Sequence, residues 1–258
     1  MKIGILGCFF DCADDLEEVL APWKAFSQEG YNLQWGTSEK VEFNISSVHC
    51  QFAEYKDEEI EDKKTLEKSI ELLGQENVFH PEERLKDAEA RNLPLKHLIK
   101  QGCNLIWIVD GDEFYTRDQI IKTLNFVKQN DLVDWYKINF KNYVFDGKSW
   151  IDGFCPPRIF WTERNGGIDK FYWDNDIIYN NGQKYTEKSF LEVPKALCHV
   201  RHMTWLDSNG KAKYEYQIKH HDFGQCSYKW NYEKEKLEFN LDFYSKNNIP
   251  LPTLNKDD

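Results

Sequence analysis

Two aspartates separated by one glycine, Asp110 and Asp112, directly follow an apolar run from Leu105 to Val109. Carboxylate oxygens suit hard divalent cations, and Gly111 allows the tight turn that lets both side chains converge on one ion. The same residues would also suit an acidic turn exposed to solvent. We favour a metal site, because carboxylates that abut a strand end in an α/β sheet are often functional.

The apolar run predicts the element that positions these aspartates. Leu, Ile, Trp, Ile and Val in succession indicate a strand that is covered on both faces, as in a parallel α/β sheet. Such sheets bind ligands at the edge where their strands end. Glu113 follows at once, and the sequence leaves open whether it supports the site or is simply exposed.

The first half of the chain alternates strand and helix patterns. The predicted elements are a buried strand at 2–8, a helix at 14–28, a strand at 43–52, a charged helix at 57–73 and a longer helix at 82–101. Pro94 is an unfavourable residue inside this last helix. Another helix is predicted to begin at Thr116. This alternation is typical of a mostly parallel sheet flanked by helices.

From Trp135 the pattern changes to alternating strands, such as Arg158 to Trp161, separated by loops rich in Asn, Gly and Pro. The change predicts a mixed or antiparallel second half. A charged segment from Asn231 to Tyr244 is predicted to be helical. We expect a single domain over residues 1–258.

The composition excludes some partners. A formal charge of −11 argues against nucleic acid, because phosphate binding usually needs a basic face. The seven cysteines include no CxxC pair, which indicates reduced thiols in the cytoplasm. No apolar run approaches the length of a transmembrane segment. We therefore expect a cytoplasmic protein that neither binds nucleic acid nor spans a membrane.

The order of these signals resembles glycosyltransferases of the GT-A fold, close to family 2. The most specific part is Ala90-Arg91-Asn92, followed by Leu95, Leu98, Gly102, the apolar strand and Asp110-Gly111-Asp112. The resemblance covers roughly the first four fifths of the chain, and it implies a division into a donor half (1–115), an acceptor half (116–210) and a C-terminal extension (211–258). It implies a GT-A fold with a mostly parallel central sheet, and transfer of a sugar from a nucleotide-diphosphate sugar, a UDP-sugar foremost, to a glycan or other hydroxyl acceptor, with inversion.

The resemblance also implies which residues bind the donor. They are Phe9, Phe10 and Asp11 after the first strand, Gln51 after the second, Arg91, and Asp110-Gly111-Asp112 with Mn²⁺ or Mg²⁺. Arg91 would pair with phosphate or orient an aspartate, although a surface arginine is an alternative. The second strand departs from the family, because His49-Cys50-Gln51-Phe52 stands where Asp-Asp-Gly-Ser is usual. This departure leaves the identity of the base open.

Later residues would complete the site. His199 resembles the family's late histidine and would join Asp110 and Asp112 as a metal ligand, with His202 as the alternative. Inverting transfer needs a carboxylate to accept the proton of the acceptor hydroxyl. Asp176 and Asp174 are the candidate bases, with Asp176 preferred, and the adjacent aromatic rings Tyr172 and Trp173 offer a face for a sugar. An ordinary Asp-Asn-Asp turn remains an alternative.

Two other function classes fit the same acidic residues. A metal-dependent phosphoesterase or nucleotidyl transferase would use them for two-metal chemistry. A non-catalytic relative would bind sugar or nucleotide without turnover.

Overall fold

The structure is a computed structural model. It describes residues 1–29, 31–35, 37–52, 62–152, 155–162, 168–171, 177–179, 190–206, 211, 214–215 and 227–257, with residues 31–35, 37–39, 168–171, 177–179 and 204–205 described as strand backbone. Asp174 and Asp176 lie outside the described residues, as do Tyr172 and Trp173, so their roles stay predictions.

The described elements follow the alternation that the sequence predicts in the first half. The helices are α1 (Leu16–Glu29), α2 (Lys63–Leu73), α3 (Asp87–Lys100), α4 (Arg117–Gln129) and α5 (Leu241–Lys246). The strands are β1 (Lys2–Cys8), β2 (Tyr31–Trp35), β3 (Thr37–Val48), β4 (Val78–Phe79), β5 (Leu105–Asp110), β6 (Glu113–Phe114), β7 (Trp135–Lys137), β8 (Asn139–Phe145), β9 (Ser149–Asp152), β10 (Pro157–Trp161), β11 (Ile168–Phe171), β12 (Ile177–Tyr179), β13 (Phe190–Glu192), β14 (His199–Leu206), β15 (Tyr228–Asn231), β16 (Lys236–Phe239) and β17 (Asn255–Lys256).

The central sheet has the strand order β13-β7-β10-β5-β1-β3-β2, with β4 also paired to β3. Strand β1 pairs in parallel with β3 and β5, and β4 with β3, whereas β10 runs antiparallel to both β5 and β7. The predicted fold class is therefore confirmed: an α/β fold with a mostly parallel central sheet and further mixed sheets, consistent with GT-A.

Strand β1 lies at the centre of this sheet, and all its residues from Ile3 to Cys8 are buried. A Cβ atom at Gly4 would lie 2.7 Å from Ile106 Cδ1 and 3.1 Å from Leu98 Cβ, so the glycine lets α3 pack closely over β1. Helix α3 runs unbroken through the buried Pro94, within the range that the sequence predicts as helical. Tertiary packing of its buried face outweighs the local cost of the proline.

The ends of four strands form one row at the edge of the sheet. Cys8 pairs with Val48 and with Asp110, and Val48 pairs with Phe79. The next residues along these strands, Phe9, His49, His80 and Gly111, therefore leave the sheet at the same edge. The chain runs from β1 to β3 on one side and returns to β5 on the other, which makes this edge the switch point where open α/β sheets bind ligands.

The chain divides into two compact units: unit 1 comprises Met1–Ile138 and Cys155–His199, and unit 2 comprises Asn139–Phe154 and Val200–Asp258. The division into donor half, acceptor half and extension stays a prediction. No helix within the described ranges is long and apolar enough to cross a membrane.

In unit 2, neighbouring strands follow the order β17-β9-β8-β14, and β15 and β16 form an antiparallel pair. The helix predicted over 231–244 is wrong for most of its length, because β16 occupies 236–239 and α5 begins only at Leu241. Side chains alternate between the two faces of a strand, and here Tyr228 and Leu237 are buried on one face, against Val144. This alternation explains why the segment forms strands instead of a helix. The many charged residues belong to the turn and the other face.

Candidate functional site

Asp110, at the end of β5, is held by two arginines from different elements. Arg91 Nη1 on α3 donates to Asp110 Oδ1 at 2.7 Å, and Arg158 Nη2 on β10 donates to Asp110 Oδ2 at 2.9 Å. Both arginines are buried, and the aspartate side chain is 20% exposed. Charge-assisted hydrogen bonds are strong, so the carboxylate has a fixed orientation. Arg91 is thus a buried residue that orients an aspartate.

These contacts extend into a larger buried group. Arg91 Nε donates to Asp87 Oδ1 at 2.7 Å, and Arg158 Nη2 also donates to Glu113. Glu113 is fully buried, so it is not an exposed turn residue. We call the five side chains, which alternate in sign as Asp87, Arg91, Asp110, Arg158 and Glu113, the buried charge chain.

Burial and charge act in opposite directions on the two arginines. Burial alone would lower the pKa of Arg91, but Asp110 and the other groups beside it raise that pKa above its ordinary value. Burial likewise opposes the charge of Arg158, and Glu113 and Asp110 raise its pKa. Both guanidiniums therefore stay charged, and each needs its carboxylates because a buried unpaired charge is costly.

Removing one member of the buried charge chain should therefore destabilise the fold. Arg158→Met leaves Glu113 and one Asp110 oxygen without this cation, and we expect a loss of roughly 3–5 kcal/mol in the free energy of unfolding, measured with urea. Lys122→Met is the control, because its partner Asp118 is 70% exposed and exposed pairs contribute less than about 1 kcal/mol. Equal losses in the two variants would contradict the assignment.

The loop after β1 packs directly on the Asp110-Gly111-Asp112 turn. A Cβ atom at Gly111 would lie 2.5 Å from Cys12 Sγ, so this close approach requires glycine. Burial raises the pKa of the Cys12 thiol, and Asp62 and Asp112 raise it further. Both carboxylates therefore lie near Cys12. Phe9 is fully buried and lies against Gly111.

A cavity of about 480 Å³ opens beside the same loop. Its walls come from the ends of β1, β3 and β4 and from the start of α2, and include Phe10, His49, Gln51, Asp62, His80 and Arg84. Of the residues predicted to bind the donor, Phe10 and Gln51 line this cavity. The Cα atoms of Phe10, which lines the cavity, and Cys12, which packs on the turn, can be at most about 7 Å apart, because they are two positions apart in one loop.

Asp62, His49 and His80 form a group that the sequence pattern does not predict. His49 Nε2 lies 3.2 Å from Asp62 Oδ2, and the Nδ1 atoms of the two histidines are 3.2 Å apart. Asp62 Oδ2 also accepts from the backbone N–H of Asp11 at 2.5 Å. One signal was available, because each histidine directly follows a strand that ends at the ligand-binding edge.

The aspartates fit a divalent cation that also binds a phosphate ligand. Asp110 accepts one hydrogen bond from each arginine, but a carboxylate has about four acceptor positions and so can still bind a cation. Asp112 is half-buried after the same strand. Among the described residues no group of three or more His, Cys, Asp or Glu could hold a metal. One or two carboxylates, completed by phosphate and water, is the usual arrangement for Mg²⁺.

The two late histidines lie in different units. His199 begins β14, and its backbone carbonyl accepts from Gln119 Nε2 at 2.9 Å. The described residues do not bring it into a three-residue metal group with Asp110 and Asp112, so its role as a ligand stays a prediction. His202, in unit 2, is buried and hydrogen-bonded through Nδ1 to Asn142 Oδ1 at 2.8 Å.

No protein-family model and no curated protein matches the chain. Among solved structures, S. aureus TarS 1–349 in complex with UDP-GlcNAc is similar, with 14% identity and a TM-score of 0.35 over 55% of this chain and 35% of that one. The chain therefore spans about a third of that protein's length. TarS in a longer form gives 13% identity and a TM-score of 0.31, over 56% of this chain and 22% of that one.

A second similar structure covers more of both proteins. It comes from Desulfovibrio desulfuricans G20 and carries the provisional name nucleotide-diphospho-sugar transferase, with 12% identity and a TM-score of 0.35 over 83% of this chain and 87% of that one. At such TM-scores these likenesses are distant.

Proposed function

We propose that this chain is a metal-dependent glycosyltransferase that transfers a sugar from a nucleotide-diphosphate sugar, a UDP-sugar foremost, to a hydroxyl of a glycan or other acceptor. One observation carries the proposal. The cavity and the Asp110-Gly111-Asp112 turn share the loop after β1, at the switch point of the sheet. A base in the cavity would leave its diphosphate beside the turn.

The charges at this edge explain why a diphosphate would need a cation. Asp11, Asp62 and Asp112 lie at or near the loop, whereas Arg91 and Arg158 already pair with carboxylates. A diphosphate would therefore meet net negative charge. When bound, Mn²⁺ or Mg²⁺ offsets that charge and stabilises the departing diphosphate.

Different residues of this chain would hold the cation, contact the base and accept the proton. Asp110 and Asp112 would hold the cation, and the two arginines keep Asp110 oriented before any ligand arrives, so little reorganisation is needed. Phe10 offers an aromatic face to a base, and Gln51 offers an amide that can donate or accept. Asp176 or Asp174 would take the proton from the acceptor hydroxyl.

The proposal is tested by incubating the protein with a panel of nucleotide sugars and Mn²⁺. We expect release of nucleoside diphosphate that depends on Mn²⁺ and increases when a hydroxyl acceptor is added. EDTA should abolish it. Binding of the donor without any release would instead support a non-catalytic relative. Cleavage of a generic phosphodiester without release from nucleotide sugars would support a phosphoesterase.

The choice between the two late histidines has its own test. His199→Ala should weaken Mn²⁺ binding in the presence of UDP by at least roughly tenfold, because a neutral imidazole would be lost from the metal. His202→Ala is the matched control, since that side chain is already hydrogen-bonded to Asn142 in unit 2. Calorimetric titration of Mn²⁺ measures both. An effect confined to the His202 variant would reverse the assignment.

A further inference from the structure

Three side chains form a hydrogen-bonded relay on the wall of the cavity. Asp62 Oδ2 lies 3.2 Å from His49 Nε2, and His49 Nδ1 lies 3.2 Å from His80 Nδ1. His80 Nδ1 is also 3.3 Å from the backbone carbonyl of His49. Asp62 and His49 are largely buried, whereas His80 is exposed on the cavity wall. We call this group the Asp62–His49–His80 relay.

The partners at both ends of the relay determine where its protons lie. Burial would raise the pKa of Asp62, but hydrogen bonds from Asp11, Thr65 and His49 bring it below its ordinary value, so the carboxylate is ionised and only accepts. His49 Nε2 must therefore donate to it. At the other end, a carbonyl oxygen also only accepts, so His80 Nδ1 must donate.

The central hydrogen bond then has a single direction. His80 Nδ1–H donates to His49 Nδ1, which is free to accept only if His49 is neutral. Burial lowers the pKa of His49 even though Asp62 opposes that effect, which agrees with a neutral ring. With its proton on Nδ1, a neutral His80 carries a lone pair on Nε2. No hydrogen bond to Nε2 comes from the part of the chain that the structure describes.

We infer, building on the proposed function, that His80 selects the base of the nucleotide. Its Nε2 accepts the N–H of a ring nitrogen next to a carbonyl, which is N3–H in uracil and N1–H in guanine. Cytosine and adenine present a lone pair at the corresponding nitrogen, so two acceptors would face each other. Phe10, whose ring centroid is 5.5 Å from that of His49, offers the adjoining aromatic face for the flat base.

Calorimetry with UDP, GDP, CDP and ADP in the presence of Mn²⁺ tests this role. We expect the wild type to bind UDP or GDP roughly tenfold tighter than CDP or ADP, and the two preferred bases are separated by the same panel. His80→Phe keeps an aromatic ring but removes the acceptor. In this variant the ratio of UDP or GDP affinity to CDP affinity should fall to near one, while the affinity for CDP itself changes little.

His97→Phe is the matched control, because it makes the same change at a histidine on α3 that is not among the cavity-lining residues. It should keep the wild-type preference. A preference that is retained in His80→Phe, or lost equally in His97→Phe, would overturn the role of His80. Equal affinity of the wild type for all four nucleotides would overturn it too and leave the proposed function standing. Failure of every nucleotide to bind would instead remove the proposed function itself.

Discussion

Asp112→Asn should weaken Mn²⁺-dependent binding of UDP by roughly a hundredfold or more, while the free energy of unfolding stays nearly unchanged. The carboxamide is neutral and is a poor ligand for a hard cation. Asp112 is half-buried, and it is not a member of the buried charge chain that links α3, β5 and β10. Calorimetry of UDP with and without Mn²⁺ measures the first effect, and urea unfolding measures the second.

Asp118→Asn is the control for this substitution. Asp118 lies in the first turn of α4, is 70% exposed and pairs with Lys122. Asp118→Asn removes one negative charge from the protein, as Asp112→Asn does, so a general electrostatic effect would appear in both variants. Undiminished UDP affinity in Asp112→Asn, or full wild-type affinity in EDTA, would remove the metal from the proposed function.

Asp176→Asn should lower turnover by roughly 10² to 10⁴ and leave donor affinity nearly unchanged. A general base acts on the acceptor hydroxyl, so its loss affects the transition state of transfer without removing a contact to the diphosphate. Initial rates at saturating donor, together with calorimetry of donor binding, separate these two effects.

Asp174→Asn is the natural comparison, because only one of the two carboxylates can point at the acceptor hydroxyl. We expect Asp174→Asn to keep a higher rate than Asp176→Asn. Near-normal rates in both variants would place the base elsewhere in the chain. Loss of donor binding in both would assign these aspartates to the donor or the metal.

Much of the fold could be predicted because its signals are local. The apolar run before Asp110 is short, rich in branched side chains and flanked by polar residues, and it forms the buried strand β5. Thr116 was predicted to start a helix, and it caps α4 by accepting a hydrogen bond from the N–H of Gln119 at 3.2 Å. The prediction of a helix over 231–244 is wrong because charged residues in a hairpin turn resemble, in sequence, the charged face of a helix.

The site could be predicted only in part, because its contacts join distant residues. Arg158 meets Asp110 across 48 positions, and this depends on β10 running antiparallel beside β5. His49 and His80 are 31 positions apart, and they meet because β3 and β4 pair with their ends aligned. A single amino-acid sequence does not show which strands pair with one another. Only the expectation that ligands bind at strand ends could have singled these residues out.

The buried charge chain has a consequence for how this protein can change over generations. Each of its inner members has partners of opposite sign on both sides, so a single change at Arg91, Asp110 or Arg158 leaves buried charges unmatched. Compensation requires a second change at a neighbouring member, and the five members are distributed over α3, β5, β6 and β10. Substitutions that preserve the fold are therefore expected in correlated pairs rather than one at a time. The sequence at this edge of the sheet should change slowly even at residues that contact no ligand.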